Sequence, residues 1–110
     1  MIKQVILLDR KEGMSFEDFE DHWLNEHAPL LDDMPNVEGY TVDLPTDPEK
    51  SPFDGVAQVY FQDEDAMAEA WESEAGQAVQ KDTPTFVDTE TQQVMVVEEH
   101  VQIPRGEDGP

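Results

Sequence analysis

Apolar residues recur at two periods along the chain, and the switches between them predict the order of its elements. Over residues 2–9, Ile2, Ile6 and Leu8 share one face with Gln4 between them, while Val5 and Leu7 share the other. Apolar side chains on both faces predict a strand covered on both sides. Residues 14–35 (MSFEDFEDHWLNEHAPLLDDMP) change to helical spacing. Ser15 is placed as an N-cap, Asp18 as a weak capping-box partner, and Met14 and Phe19 as a hydrophobic staple. At about 100° per residue, Phe16, Phe19, Trp23 and His27 form one narrow stripe, with Leu24 beside it and His22 well off it. Pro29 disfavours a helical Ala28 and predicts that the helix stops there. Leu30, Leu31 and Met34 follow as a loose apolar turn ending at Pro35.

Alternation returns over residues 36–44, where Tyr40, Val42 and Leu44 are interleaved with Thr41 and Asp43. Residues 45–52 (PTDPEKSP) are a loop by composition. A third strand over 53–62 sets Ala57, Val59 and Phe61 against Val56, Gln58 and Tyr60. With no helix between them, the second and third strands should form an antiparallel hairpin. Asp63 to Asp65 suit the start of a second helix, where negative charge meets the macrodipole. Met67, Ala70, Trp71 and Ala78 supply its core stripe, with a break expected at Gly76. Residues 83–89 read as a turn region. A long last strand over 91–103 alternates Val94, Val96, Glu98 and His100 with Met95, Val97, Glu99 and Val101. The domain then spans 1–103, and a tail at 104–110 is expected to be disordered.

The order β-α-β-β-α-β is that of an α+β, ferredoxin-like domain: a four-stranded antiparallel sheet with both helices on one face. That leaves the opposite face apolar and uncovered. A second copy packed sheet to sheet about a two-fold axis would cover it, with Val94, Val96, Tyr40 and Tyr60 expected in the buried layer.

Charge changes the picture of the surface. The 110 residues hold 27 acids and 6 bases, a net charge of −21, and the acids are spread along the whole chain. Such self-repulsion opposes compaction in ordinary salt and is screened at molar salt, where the Debye length is about 3 Å. Surfaces this rich in acids and poor in lysine are similar to those of salt-adapted cytoplasmic proteins from halophilic archaea. No basic footprint exists for nucleic acid. The absence of cysteine excludes disulfides and thiolate metal sites. No apolar run approaches the roughly 20 residues of a membrane span, and residues 1–10 lack a signal-peptide pattern. A cytoplasmic protein without membrane contact is the expectation.

The chemistry on offer is sparse: no cysteine nucleophile, no serine–histidine motif and no glycine-rich phosphate loop. His22 and His27 would project about 140° apart on an α-helix, and their spacing is not that of a metal pair. His100, on the last strand, has no role that the sequence assigns. His27 is the acid–base candidate near neutral pH, with Trp23, Tyr40 and Tyr60 as the walls of a substrate cavity. The competing reading makes His27 a hydrogen-bonded core residue.

The string WLNEHAPLLDDMPNVEGY resembles the W-x-x-x-H-A-P-L…P-x-x-x-x-Y signature of the EthD-like family, within the dimeric α/β-barrel superfamily. Trp23, His27, Ala28, Pro29, Leu30, Pro35 and Tyr40 match it in order and spacing. Arg10 after the opening strand, the paired phenylalanines and the closing FVDTETQQVMVVEEH extend the resemblance over about residues 2–102. The PTDPEKSP loop and the acidity depart from it, which bears on substrate rather than fold. The resemblance implies a homodimer with a small, largely apolar cavity between helices and sheet in each subunit. It also implies chemistry without metal, flavin or heme, hence no cofactor. Relatives are associated with oxidation of ethers and polyketides and with lactone isomerisation. Three readings of function follow. One is a cofactor-independent oxidoreductase, monooxygenase or isomerase for a small apolar carbonyl, phenol or lactone, using His27. Another is a non-catalytic binding or accessory subunit of an oxygenase system. The last is a small dimeric structural protein, its cavity plugged by Phe61 and Met95.

Overall fold

A computed structural model describes residues 1–106 of the chain. Four strands, β1 (Ile2–Leu8), β2 (Gly39–Asp43), β3 (Gly55–Phe61) and β4 (Gln93–Glu98), form one sheet in the order β2-β3-β1-β4. All three pairings are antiparallel, so the ferredoxin-like arrangement holds. Helices α1 (Phe16–His22), α2 (Glu64–Glu72) and α3 (Glu74–Asp82) complete it. The last strand is shorter than its alternation implied. Pro104 to Gly106 carry no regular structure, and the remainder of the expected tail, 107–110, lies outside the described residues.

Capping chemistry sets where the helices begin. Ser15 Oγ accepts from the Asp18 amide at 3.1 Å, and Asp63 Oδ1 accepts from the Ala66 amide at 2.8 Å. The second helical region breaks at Ser73 rather than at Gly76, because Ser73 Oγ accepts from the Gly76 amide at 3.0 Å and starts a new helix. Gly76 serves that corner differently. A Cβ there would run into the Ala70 carbonyl and stand 2.7 Å from Trp71 Cα, so only glycine lets α3 fold back on α2. The break also shifts the helical phase, which leaves Ala78 exposed and buries Val79 in its place.

The first helical region departs furthest from expectation. Ala28 stays in the right-handed helical region (φ −55°, ψ −41°), and Pro29 does not end the winding. Instead α1 passes into a π turn over Trp23–His27, closed by the Ala28 amide donating to the Trp23 carbonyl, and then into a 3-10 turn over Ala28–Asp33. Near the start of the 3-10 turn, the amide that proline lacks needs no partner.

Strand register sorts the side chains by face. Gln4 lies between Val59 and Val96, and Val59 lies next to Tyr40, so Tyr40, Val59, Gln4 and Val96 make one row beneath the helices. Val94 and Val96 therefore sit on the helix side, at the outer edge, 48% and 43% exposed, and not in the open face. Tyr60 pairs with Lys3 and projects from the opposite face to Tyr40. Both alternating sets of the last strand are apolar, so its pattern alone could not choose the face. The open face presents Val5, Leu7, Val56, Tyr60, Met95 and Val97 instead.

Under the helices the core divides in two. Leu8, Phe19, Trp23, Ala57, Phe86 and Val87 form one cluster, and Leu31, Met34, Val59, Phe61, Ala70 and Val79 the other. Trp23 is seated by Gly55, where a Cβ would stand 2.8 Å from the indole Cη2. Since the ring is fully buried, Gly55→Ala should displace it and cost about 1–3 kcal/mol in urea or thermal unfolding. An unchanged midpoint would contradict this packing.

Candidate functional site

A cavity of about 250 Å³ occupies the gap between the two core clusters. Its floor is the sheet row of Gln4, Ile6, Tyr40, Ala57 and Val59, and its roof is Trp23, His27, Leu31, Trp71, Val79 and Phe86. The walls are thus largely apolar, with a few polar groups at fixed points. Phe61 is fully buried in the second cluster outside this lining, and Met95 is on the far side of the sheet. Neither plugs the cavity.

His27 is 7% exposed and lies over it. Its Nδ1 is 2.8 Å from Asp82 Oδ2, and His22 Nε2 is 2.9 Å from the same oxygen. A carboxylate only accepts, so both nitrogens carry protons and donate to it. That fixes the His27 tautomer and leaves its Nε2 as an unprotonated acceptor with no protein partner among the described residues. Nε2 is not sealed off either, since Thr41 Oγ1 is the one fully buried side-chain polar atom left unpaired there. The Phe86 ring packs at a tilt against both imidazoles, its centroid 4.8 Å from that of His27 and 4.7 Å from that of His22.

The expected divergence of the two histidines is overturned by the π turn. An i→i+5 bond brings residues five apart back to the same side of the winding, where an α-helix would separate them. Both N–H groups converge on the Asp82 oxygen, and among the described residues no group of three His, Cys, Asp or Glu side chains is arranged to hold a metal ion. His100 is exposed and pairs with Glu98 at 3.0 Å, away from this cluster.

Of the predicted walls, Trp23 and Tyr40 meet at the cavity, the indole N–H donating to the Tyr40 hydroxyl at 3.0 Å. Tyr60 does not join them: on the other face, its hydroxyl donates to Glu99 at 3.4 Å. The sequence reading missed Asp82 and Phe86. Asp82 left one signal, a carboxylate in the last turn of a helix, where the macrodipole disfavours negative charge unless a partner holds it. Phe86, inside a turn of polar residues, left none.

Burial pushes the His27 imidazole below its ordinary value, against the opposing pull of Asp82, so the ring is neutral at pH 7. Burial acts to raise Asp82, but hydrogen bonds from His22 and His27 outweigh it and hold the carboxyl below its usual range. Burial raises Tyr40, partly offset by the bond from Trp23, so its hydroxyl keeps its proton. The site therefore combines a neutral base, an ionised carboxylate behind it, and a protonated phenol across an apolar space.

The fold is that of a ferredoxin-like α+β domain with a cavity between helices and sheet. The chain belongs to the EthD domain family, whose model matches residues 11–90. Among solved structures it is similar to an ethyl tert-butyl ether D (EthD) family protein of Bacillus halodurans. That match has 25% identity and a TM-score of 0.76, and covers 91% of this chain and all of the other. A dimeric ferredoxin-like protein of unknown function from Thermobifida fusca matches at 10% identity and a TM-score of 0.72, over 87% of this chain and 88% of that one. SnoaB, a cofactor-independent oxygenase from Streptomyces nogalater, matches at 12% identity and a TM-score of 0.70, over 94% and 97%. No curated protein matches the sequence.

The lowered His27 value carries a sign. The unfolded ring gains a proton near pH 6.5 while the folded one resists, so the unfolded state binds more protons as pH falls through that value. His27's contribution is intact above pH 6.5 and lost below it, and that of Asp82 is lost only further down, through its depressed folded value. Unfolding free energy measured from pH 7.5 to 5.5 should fall with pH in the wild type. The slope should be shallower in His27→Gln; an equal slope would place the titrating group elsewhere.

Proposed function

We propose that this protein is a cofactor-independent enzyme for a small, largely apolar organic compound, with His27 as its general base. The observation that carries the reading is the His27 ring itself: Nδ1 fixed by Asp82, Nε2 free, over an apolar cavity. In the step we envisage, Nε2 takes a proton from an O–H or an activated C–H of the ligand. The ring becomes imidazolium, and the Asp82 carboxylate 2.8 Å away stabilises that charge. The anion left on the ligand is suited to isomerisation by reprotonation at another atom, or to oxidation by dissolved dioxygen. Trp23 and Tyr40 are substrate-binding residues in this scheme. The description of SnoaB as a cofactor-independent oxygenase supports it by analogy of fold.

A panel of small alicyclic and aromatic compounds, incubated in air without added cofactor, tests the reading through substrate loss and oxygen uptake. Wild type should turn over a member of the panel. His27→Gln, whose amide still donates to Asp82, should stay folded and lose roughly 10²–10⁴-fold in rate. Saturable binding without turnover would assign an accessory, ligand-holding role instead, and absence of both would reject the cavity as a ligand site.

The same proposal includes a homodimer through the open sheet face and a salt-adapted, cytoplasmic setting. Met95 is 63% exposed on that face beside Val5 and Val97, an apolar surface with no cover in one copy. The dispersed charge of −21 argues for high salt. No helix among the described residues is long and apolar enough to cross a membrane. Sedimentation in molar KCl should give twice the monomer mass, reverting to monomer in Met95→Asp, and melting midpoints should rise from low to molar KCl. A concentration-independent wild-type monomer, or a midpoint indifferent to salt, would overturn the respective part.

A further inference from the structure

Two donors face the cavity from its floor without an acceptor, and together they select the ligand. The Trp71 indole N–H can only donate, and it lies 2.7 Å from the Gln4 side-chain amide, so the atom it meets is the carbonyl Oε1. The amide is thereby turned with Nε2 outward, and among the described residues that nitrogen has no acceptor. The Tyr40 hydroxyl is in the same position. It accepts from Trp23 at 3.0 Å, and its own proton has no protein acceptor among the described residues. Gln4 Nε2 is not sealed away from a ligand, since it is not among the fully buried unpaired atoms, and Tyr40 lines the same cavity.

Register places the two in one row. Gln4 and Tyr40 flank Val59 on adjacent strands, side chains on the same face, and all three line the cavity. Adjacent strands lie about 4.8 Å apart, so an oxygen resting above Val59 sits between the two donors. We propose that Gln4 and Tyr40 form a site for an acceptor oxygen of the ligand, which, with the His27 base above, makes that ligand a small carbonyl compound rather than a hydrocarbon.

The third unpaired group, His27 Nε2, is an acceptor in the roof above the same space. A carbonyl compound complements all three at once: its oxygen takes the two N–H and O–H donors, and a proton on its α carbon faces the base. On transfer the α C–H electron pair becomes the C=C bond of an enolate, the carbonyl oxygen takes the negative charge, and the proton resides on His27 Nε2. Gln4 and Tyr40 then donate to that oxyanion, the geometry that stabilises developing charge. Besides lining the cavity, the two indoles orient its donors: Trp71 turns the Gln4 amide, and Trp23 aims the Tyr40 hydroxyl.

The inference rests on the cavity being a ligand site, and its test separates the two. The probes are 1-indanone and indane, which share a bicyclic carbon frame and differ in the carbonyl oxygen. Binding is read from the two indole N–H signals of the folded protein in ¹H–¹⁵N spectra, since Trp23 and Trp71 are its only tryptophans. Indanone should shift both signals saturably and bind about tenfold or more tightly than indane. Gln4→Leu should erase most of that preference, and so should Gln4→Glu, which keeps the acceptor for Trp71 but replaces the donor. In D₂O, wild type should speed α-deuteration of indanone. Equal affinity for the two probes, or a preference unchanged in both Gln4 variants, would overturn the acceptor site while leaving the cavity reading intact. Saturable binding of neither would overturn both.

Discussion

The arrangement of this domain depends on one carboxylate oxygen that accepts from two imidazoles. Asp82 Oδ2 ties α1 and the π turn to the end of α3, elements that meet nowhere in sequence. It thereby fixes the height of the roof over the sheet and the tautomer of the ring that faces the cavity. A carboxylate in the last turn of a helix is electrostatically misplaced, and hydrogen bonds from two histidines are what make the placement tolerable. Loosening that oxygen would move both the His27 ring and the helix that packs beside it.

Much of the fold was legible because it depends on local rules. Alternation found all four strands, Ser15 declared its cap, Asp63 to Asp65 marked the start of the second helix, and a loop without a helix required the hairpin. The stripe of Phe19, Trp23 and His27 also pointed inward as its spacing implied. What failed was what local period cannot encode. The extra residue of winding at Trp23–His27 changes which histidines face each other, and no residue in WLNEH announces it. The face of the last strand depended on register, since its two alternating sets are equally apolar. Tyr60 was misassigned for the same reason: adjacency to Tyr40 in the hairpin does not mean sharing a face. Asp82 joins the histidines only through tertiary contact, some 55 to 60 positions away.

Most of the polar groups that give the site its character are held by a neighbour that is itself part of the wall. Trp23 orients Tyr40, Trp71 orients Gln4, and Asp82 orients His27. Each pair leaves one donor or acceptor without a protein partner among the described residues, on a side chain that lines the cavity. This is preorganisation in a plain sense, since a neighbour already fixes the orientation of each group.

The divided core has a thermodynamic consequence. Where a domain of this size would ordinarily close its interior, this one keeps about 250 Å³ open between two clusters, forgoing dispersion contacts on every lining side chain. A molecule that bound there would bind the folded state alone, and linkage would add stability in proportion to the logarithm of its concentration, about 2.7 kcal/mol at a hundred times the dissociation constant. For a domain near this length that corresponds to a rise of roughly 10 °C or more in melting temperature. The hollow thus makes the protein's own heat resistance a gauge of occupancy, against which crude metabolite fractions can be screened.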